Sequence, residues 1–267
     1  MPQEKIMNNN YLCIVQARCG STRLPGKILM SVNGVSMLEY EICRIRKSEK
    51  INKIVIATTV NKIDDSVEIL CKELGIDCFR GSEDDVLDRY YQCALKYPSY
   101  KNIIRLTGDC PLIDPKVIDD VIGLFERGDY DYTSNYFEIK GNDKSEHKNF
   151  PDGLDVEIFK RSVLEIAHNN AKLLSEREHV TPYIRKNEGF KKGFFSAKED
   201  YSHFRLTLDN KEDFEVIEFL IKNSEKDDDY LAYISLLERN PEVMKKNMSI
   251  IRNEGFLKSL KNDVKVK

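Results

Sequence analysis

Residues 11–27 read YLCIVQARCGSTRLPGK, and this stretch decides the fold. Residues 11–15 form a short, nearly continuous apolar run, which is typical of a β-strand that is buried on both faces. The segment that follows, residues 16–27, contains two glycines and three basic side chains. Open α/β sheets bind their ligands in loops at the carboxyl ends of their strands. The stretch therefore predicts both an α/β fold and the position of a binding site.

Strands and helices are predicted to alternate along the first half of the chain. Residues 53–58 and 102–107 are two further apolar runs of the same kind. Asp114 and Pro115 predict the N-cap and the first turn of a helix. This alternation indicates a mostly parallel sheet flanked by helices. Apolar side chains recur at helical spacing at Leu38, Ile42 and Ile45; at Val67, Leu70, Cys71 and Leu74; at Val86, Tyr90, Cys93 and Tyr97; and at Val117, Ile118, Val121, Ile122 and Phe125.

The second half of the chain is less regular. Residues 137–151 are polar with glycine and proline breaks, which predicts an exposed excursion or a mobile loop. Beyond them we expect strands over 154–159 and 204–208, and helices from near 162, over 177–186 and over 213–221. The acidic run 225–229 predicts a solvated linker. We therefore expect a main domain of residues 1–225 and a C-terminal extension of two helices, residues 226–267, that is appended rather than central.

Composition excludes several classes of protein. The 267 residues include 42 basic and 45 acidic side chains, so the net charge of -3 gives no basic field for nucleic acid. No apolar run approaches the ~20 residues of a membrane span, and the first ten residues lack the apolar core of a signal peptide. The seven cysteines are odd in number and form no C-x-x-C pair, so neither a disulfide framework nor a zinc site is indicated. We expect a cytoplasmic protein that binds neither membrane nor nucleic acid.

The 16–27 loop has the residue types that a triphosphate requires. Arg18, Arg23 and Lys27 supply three positive charges, while Gly20 and Gly26 let the backbone approach a ligand closely. The spacing is not that of the P-loop or of the dinucleotide-binding fingerprint. Taken alone, the loop is also compatible with a solvated turn.

Two acidic groups are candidates for metal binding. Asp109 follows the strand 102–107 and could face the same crevice, where a carboxylate beside phosphates is a typical Mg²⁺ ligand. The alternative is that Asp109 caps a turn before Pro111. Asp84, Asp85 and Asp88 form a second acidic group, which could equally serve as the N-cap of a helix.

Six segments of the sequence together resemble a known family. The string A-R-x-G-S-T-R-L-P-G-K at 17–27 resembles the nucleotide-binding motif of the cytidylyltransferases that activate octulosonate and sialic acids. Five later strings resemble more closely the SpsF-type cytidylyltransferases of spore coat polysaccharide biosynthesis. The resemblance runs from residue 12 to about 221. The five strings occupy residues 80–91, 105–114, 151–157, 176–183 and 207–213.

The resemblance implies a nucleotide-diphospho-sugar transferase-like fold, a three-layer α/β/α sandwich in which residues 1–225 form the nucleotidyltransferase domain. It implies a reaction in which CTP and a small-molecule acceptor, expected to be an acidic sugar, give a CMP-sugar and pyrophosphate for surface glycan biosynthesis. It also implies Mg²⁺ as cofactor and a homodimer as the assembly. The residues it implies fall into three groups. Arg18, Lys27 and Asp109 would be catalytic; Ala17, Arg18, Gly20, Ser21, Lys27 and Thr107 would bind the nucleotide; and Asp109 and Asp209 would bind the metal.

The acceptor site is predicted at Asp152, Asp155, Arg177 and His179, in the part of the match where related enzymes build their sugar pocket. Arg177 could donate two parallel bonds to a sugar carboxylate or phosphate, and His179 could add a donor or position the attacking hydroxyl. The alternative for Arg177 is a solvated surface helix.

Two departures from the family pattern bear on the site. Residues 107–111 read TGDCP where the octulosonate enzymes read Q-G-D-E-P, so octulosonate is not the expected acceptor. Asn210 replaces the threonine that usually follows the second aspartate, which puts the support of Asp209 in doubt.

Rival functions remain open. A glycosyltransferase would share the sheet but not need a triphosphate loop, and a catalytically silent subunit would have lost one of the phosphate or metal ligands. A cytidylyltransferase that acts on a phosphorylated acceptor other than a sugar is the third alternative.

Overall fold

The computed structural model describes residues 10–137 and 147–266. The strands found in them are β1 (Tyr11–Gln16), β2 (Ser31–Val32), β3 (Val35–Ser36), β4 (Lys53–Thr59), β5 (Asp77–Gly81), β6 (Asn102–Thr107), β7 (Tyr132–Ser134), β8 (Glu157–Lys160) and β9 (Lys192–Phe194). The α-helices are α1 (Met37–Ile45), α2 (Asp65–Glu73), α3 (Val86–Leu95), α4 (Pro115–Gly128), α5 (Arg161–Asn170), α6 (Leu174–His179), α7 (Pro182–Lys186), α8 (Lys211–Asn223), α9 (Tyr230–Arg239), α10 (Pro241–Met244) and α11 (Glu254–Lys261).

Seven strands form one mostly parallel sheet in the order β5-β4-β1-β6-β8-β7-β9, and β2 and β3 form a separate hairpin. β1 pairs in parallel with β4 on one side and β6 on the other, whereas β8 runs antiparallel to β6 and β7. Gln16 at the end of β1 is in register with Thr107 at the end of β6. The loops that follow these two strands therefore leave the sheet side by side.

The side chains of β1 alternate between two cores, which makes the molecule a three-layer α/β/α sandwich. Tyr11, Cys13 and Val15 pack into a core that is shared with α1, α2, α4 and α8. Leu12 and Ile14 pack on the other face with α3 and α5. All five side chains are fully buried, as their apolar run predicts. The predicted fold class is confirmed.

The predicted elements of the first half are confirmed, including the Asp114 N-cap, whose carboxylate accepts from the backbone N–H of Lys116 and Val117. Five of the seven cysteines are buried and all seven are free. Asp85 is the N-cap of α3, accepting from the backbone N–H of Asp88. This N-cap role explains the second acidic group, and no bound metal ion is needed to account for it.

Three predictions for the second half were wrong in detail. The strand expected over 154–159 is β8, which begins only at Glu157. Residues 204–208 form no strand, because their only ladder contact is a single bridge between Arg205 and Asp152. The helix expected over 177–186 is split into α6 and α7 at Val180, whose φ of 68° is not helical. Pro182 begins α7, a position that proline favours because the backbone N–H it lacks would have no partner inside the helix.

The predicted loop 137–151 falls largely outside the described residues, because 138–146 are among those not described. At its C-terminal end, Asn149 and Phe150 are buried.

The C-terminal segment packs against the main core. Tyr233, Ile234 and Leu237 of α9 belong to the same apolar cluster as β1. Three helices, α9 to α11, take the place of the two expected. The boundary at residue 225 stays a prediction, but the segment beyond it is not simply appended. In the described ranges no helix is both long and apolar enough to cross a membrane.

Candidate active site

The loop after β1 is held in a compact conformation by its own backbone. The N–H groups of Ser21 and Gly26 both donate to the carbonyl of Cys19, at 2.9 and 3.0 Å. The N–H of Cys19 donates to Asp64 Oδ1 at 2.7 Å, which ties the loop to the neighbouring β4 connection. Gly26 has a φ of 69°, a left-handed conformation that favours glycine. The predicted ligand loop is therefore preformed.

Lys27, at the end of this loop, lies between two carboxylates. Its Nζ donates to Asp109 Oδ2 and to Asp209 Oδ1, each at 2.8 Å. Burial by itself would lower the pKa of the Lys27 ammonium, but the two carboxylates outweigh burial and raise it. Burial would likewise raise the pKa of Asp109, but Lys27 outweighs that effect and lowers it to about 2. Lys27 is therefore held as a cation and Asp109 as an anion.

The position of Asp109 depends on the glycine before it. The N–H of Gly108 donates to the carbonyl of Gln16 at 2.8 Å, so the loop after β6 is bonded to the end of β1. A Cβ at position 108 would lie 2.8 Å from Ala17 Cβ and 3.0 Å from that carbonyl oxygen. No other side chain fits here without moving one of the two loops, which explains the Gly-Asp sequence.

Asp209 is surrounded by cations. Besides Lys27, it accepts from Arg23 Nη2 at 2.8 Å and from Arg205 Nη2 at 3.0 Å. The backbone N–H groups of Asp209 and Asn210 both donate to Asp213 Oδ2 at 2.9 Å. Asp209 is thus fixed through Arg205 and Asp213, and the asparagine at 210 joins this arrangement through its backbone.

The paired carboxylates fit a magnesium ion. Mg²⁺ prefers oxygen ligands and is usually held by one or two carboxylates, with phosphate oxygens and water completing its shell. Asp109 and Asp209 meet at a single ammonium, so both could serve one ion. Across residues 10–137 and 147–266 there is no group of three or more His, Cys, Asp or Glu side chains that could hold a metal, so the remaining ligands would come from phosphate and water.

The two carboxylates lie where two cavities join. Lobe A, of about 350 Å³, lies along the 16–27 loop, and lobe B, of about 250 Å³, lies along residues 152–157. Both lobes are lined by Thr107, Asp109, His179 and Asp209. Together they make one cleft at the carboxyl edge of the sheet. The other predicted nucleotide-binding residues that line lobe A are Ala17, Arg18, Ser21 and Lys27. Gly20 lines neither lobe.

Lobe B contains the predicted acceptor residues Asp152 and Asp155. Burial raises the pKa of Asp152 to about 6, although Arg252 and Arg205 act against this, and it also raises the pKa of Asp155. Arg252 makes ion pairs with both carboxylates and lies 4.3 Å from the ring centre of Tyr136. The arginines therefore offset only part of the cost of burying these two carboxylates.

Arg177 does not reach the cleft. Its side chain is 3% exposed, its Nε donates to Asp85 Oδ2 at 2.9 Å, and its Nη1 donates to the carbonyl of His168 at 2.8 Å. It lines neither lobe. The structure thus places Arg177 in an ion pair that joins α6 to α3, and neither the predicted orientation nor the solvated alternative matches it.

Arg185 on α7 lies in the cleft, where Arg177 was expected. Arg185 lines lobe B together with Phe256, and its guanidinium lies 5.3 Å from the centre of the Phe256 ring. Among the described residues no carboxylate lies within ion-pair distance of it. Its charge helps to lower the pKa of Glu157, but Glu157 is paired with the nearby Arg105 at 2.5 Å. Lobe B therefore contains one arginine, Arg185, that makes no direct ion pair with a carboxylate of the described residues.

The C-terminal segment forms one wall of the cleft. Glu254 and Gly255, at the start of α11, line both lobes. Glu254 Oε2 accepts from Arg23 Nη1 at 3.1 Å, so α11 is joined to the loop after β1. Ser259 of the same helix lies 3.0 Å from His179 Nε2. Burial lowers the pKa of His179 to about 4 even though Glu178 acts in the opposite direction, so the ring is neutral at neutral pH.

Comparison with known proteins adds the family. A family model described as cytidylyltransferase matches residues 12–250. The chain belongs to the cytidylyltransferase family. The model extends past residue 221, where the sequence resemblance was expected to end, which agrees with the packing of the C-terminal helices.

This cytidylyltransferase has a close relative in sequence and another in structure. It is 38% identical over 247 residues to the spore coat polysaccharide biosynthesis protein SpsF of Bacillus subtilis, covering 88% of this chain and 97% of that protein. A solved cytidylyltransferase from Leptospira borgpetersenii is 36% identical, with a TM-score of 0.81 over 91% of this chain and 99% of that one.

A more distant solved structure shows the fold alone. CMP:2-keto-3-deoxy-manno-octonic acid synthetase complexed with CTP has a TM-score of 0.61 at 16% identity, covering 80% of this chain and 98% of that one.

Sequence reasoning about this cytidylyltransferase missed several residues of the cleft. Arg185 lies two residues beyond the quoted string 176–183, and this nearness could have identified it as a candidate site residue. Arg89 lies inside the string 80–91 but was not singled out. Glu254 lines the cleft and Arg252 pairs with Asp152 and Asp155 in it. Both lie outside every string, and only the tertiary path of the chain brings them there.

Proposed function

We propose that this cytidylyltransferase forms a CMP-activated acidic sugar from CTP, with release of pyrophosphate, for the synthesis of a surface glycan. The observation that supports it is the Lys27–Asp109–Asp209 cluster at the junction of a cationic lobe A with a lobe B that contains an arginine that makes no direct ion pair with a carboxylate of the described residues. Such a cleft has one place for a triphosphate and another for an anionic acceptor. The relative named for spore coat polysaccharide biosynthesis supports the glycan assignment.

In lobe A, Arg18 and Lys27 hold the β- and γ-phosphates, and Ser21 and Gly20 shape the phosphate loop. Arg18 lies 2.9 Å from Glu83, and both side chains are partly exposed, so this contact is weak enough to be exchanged for a phosphate. Ala17 and Thr107 line the floor of the lobe. Charge-assisted bonds from fixed cations give both affinity and orientation.

In the chemical step, an acceptor hydroxyl oxygen forms a bond to the α-phosphorus and releases its proton to water. The bond from the α-phosphorus to the bridging oxygen breaks, and the electron pair leaves with pyrophosphate. Negative charge therefore grows on the departing group. Lys27 and Arg18 are already in place to stabilise this charge, which is the largest contribution that a protein makes to such a transfer.

Asp109 and Asp209 are the residues that would hold Mg²⁺. When bound, the ion would neutralise charge on the phosphate oxygens. The Lys27 ammonium keeps Asp109 ionised, and only the ionised form of a carboxylate binds a metal.

In lobe B, Arg185 receives the carboxylate of the acceptor. A planar guanidinium can donate two parallel bonds to a carboxylate. Asp152 and Asp155, which Arg252 holds in place, accept from sugar hydroxyls. His179 is neutral, lines both lobes and positions the attacking hydroxyl.

An acceptor that carries a phosphate in place of a carboxylate would satisfy Arg185 equally, and that alternative stays open, whether or not the acceptor is a sugar. Membership of the cytidylyltransferase family disfavours the glycosyltransferase reading, and retention of Arg18, Lys27 and Asp109 disfavours a silent subunit. A homodimer and a cytoplasmic location remain predictions.

Pyrophosphate release tests the proposal. The enzyme is incubated with Mg²⁺, each of the four nucleoside triphosphates, and a panel of carboxylated, phosphorylated and neutral sugars. We expect release with CTP and a carboxylated sugar. Release with UTP or GTP but not CTP would overturn the cytidylyl assignment, and release only with neutral sugars would overturn the acidic acceptor.

A pair of variants locates the acceptor site. Arg185→Met should raise the KM for the acceptor and leave the KM for CTP unchanged. Lys186→Met, which removes the exposed cation next in sequence, is the matched control and should behave like wild type. Equal effects on both substrates would show that Arg185 does not belong to the acceptor site.

A further inference from the structure

Lobe A contains a buried arginine that the steps above do not use. Arg89 on α3 is 2% exposed, and its side chain lines this lobe. Nη1 donates to the carbonyl of Ser82 at 2.7 Å, whereas Nε has no acceptor. Nη2 likewise has no hydrogen bond within the described part of the chain. Two donors on the same edge of the guanidinium are thus unused.

Arg89 also has no counter-ion. The closest acidic side chains are committed elsewhere, since Asp64 accepts from the backbone of Cys19 and Glu83 pairs with Arg18. No carboxylate in residues 10–137 or 147–266 makes an ion pair with it. A buried and unpaired charge is unfavourable for folding, so its presence calls for a partner that the protein chain does not supply.

The space for the side chain of Arg89 is made by a glycine. A Cβ at Gly81 would lie 3.0 Å from Arg89 Cγ and 3.0 Å from the ring of Phe79. Any larger residue at 81, at the end of β5, would push the stem of the arginine away from its present position. The position of the Arg89 side chain therefore depends on two elements of the fold, α3 and the end of β5.

The position of Arg89 in the cleft indicates which part of a nucleotide it meets. The triphosphate occupies the 16–27 loop, and the α-phosphorus lies at the junction with lobe B. Arg89 and Val86, both on α3, line lobe A but not lobe B. They therefore belong to the end of the cleft away from the reacting atoms, where the base of the nucleotide must lie.

We propose that Arg89 reads the pyrimidine base of the nucleotide, with its two unused donors on the O2 and N3 acceptors of cytosine. The proposal rests on the CTP dependence proposed above and names the residue that makes it specific. Val86 supplies an apolar surface for the face of the ring. Uracil carries a hydrogen on N3, so a donor of Arg89 would face another donor, and a site built for one hydrogen-bonding pattern rejects the other.

Binding of cytosine nucleotides of different lengths tests this role. CTP, CDP, CMP and UTP are titrated calorimetrically into the wild-type protein and into Arg89→Met. We expect the variant to lose about 10- to 100-fold in affinity for all three cytosine nucleotides alike, the effect of lost bonds to a charged group. UTP binding should change little, so the preference for CTP over UTP should fall by a similar factor.

Stability gives a second readout that a merely structural arginine would not produce. Because Arg89→Met removes an uncompensated charge, its Tm should equal or exceed that of wild type. The matched control is Arg44→Met, since Arg44 is also buried, at 6% exposure, but donates to Ile113, Tyr233 and Asp228. The control should lower Tm and leave CTP affinity unchanged.

Each contrary result has a distinct meaning. If the loss of affinity grows with the number of phosphates, Arg89 binds phosphate and the inference fails. If Arg89→Met folds and keeps the wild-type preference for CTP over UTP, the inference fails while the proposed function stands. If Arg89→Met does not fold, Arg89→Gln is read by the same criteria. A wild-type protein with no preference for CTP would instead overturn the proposed function.

Discussion

Lys27 and Asp209 are 182 positions apart in the chain, and the Lys27 ammonium donates to the Asp209 carboxylate over 2.8 Å. The same ammonium reaches Asp109, which follows a different strand. One buried cation therefore joins the loop after β1, the loop after β6 and the segment before α8. This cation lies at the junction of the two lobes and fixes the relative positions of the three segments.

Lys27→Met should weaken CTP binding by about 1.5–3 kcal/mol, because it removes charge-assisted bonds to the phosphates. Turnover should fall by more, since charge on the leaving group grows in the transition state. Calorimetric titration with CTP and steady-state pyrophosphate release check the two effects. Lys222→Met, on the exposed face of α8, is the control, and wild-type CTP affinity in Lys27→Met would contradict the role.

Asp109→Asn and Asp209→Asn should each abolish turnover. The unfolding midpoint of Asp109→Asn should also fall, because Lys27 stabilises the ionised carboxylate, but the variant should still fold because the amide oxygen of asparagine can accept from Lys27. The measurement is turnover across a Mg²⁺ titration, after chelation has removed bound metal from the wild-type enzyme. Asp227→Asn, in the exposed acidic linker, is the control. If a variant keeps wild-type turnover at every Mg²⁺ concentration, the substituted aspartate is not a metal ligand.

Arg252→Met should lower the free energy of unfolding by about 3 kcal/mol, because it leaves Asp152 and Asp155 without one of their cations. It should also raise the KM for the acceptor, since both aspartates line lobe B. Urea unfolding and acceptor kinetics check these expectations. Lys245→Met, exposed in the same segment, should change neither. Unaltered stability in Arg252→Met would mean that the C-terminal segment does not dock as described.

His179 should make the protein sensitive to acid. Its folded-state pKa of about 4 lies below the ordinary 6.5, so the unfolded chain binds more protons between these values. Its contribution to stability is complete above pH 6.5 and declines as the pH falls towards 4, by about 2 kcal/mol between pH 7.5 and pH 5. Urea midpoints of wild type and His179→Gln across this range measure the difference. The exposed control His203→Gln should give a curve of midpoint against pH that is parallel to that of wild type. If the curve of His179→Gln is also parallel to that of wild type, the ring of His179 is not desolvated.

The parts of the site that could be predicted from sequence are those in which adjacent residues carry the information. A few adjacent residues are enough to recognise the buried strand, the basic glycine loop and the Gly108-Asp109 pair. Register between β1 and β6 then brings the two loops together without further signals.

The parts that could not be predicted depend on a change of chain direction. Arg177 and Arg185 lie eight positions apart, and continuous helical spacing favoured the first of them. The non-helical backbone at Val180 separates α6 from α7, so Arg177 points to Asp85 and Arg185 to the cleft. Glu254 meets Arg23 across 231 positions, and no local pattern indicates such a contact.

Transfer of label from CTP tests the central claim most directly. The enzyme is incubated with Mg²⁺, a carboxylated sugar and CTP labelled either at the α- or at the γ-phosphate, and the products are separated. Attack at the α-phosphorus predicts that the α-label appears in a CMP-sugar and the γ-label in pyrophosphate, in equal amounts. Appearance of the γ-label on the acceptor, or of the α-label in CDP, would show transfer of a different group and would contradict the account.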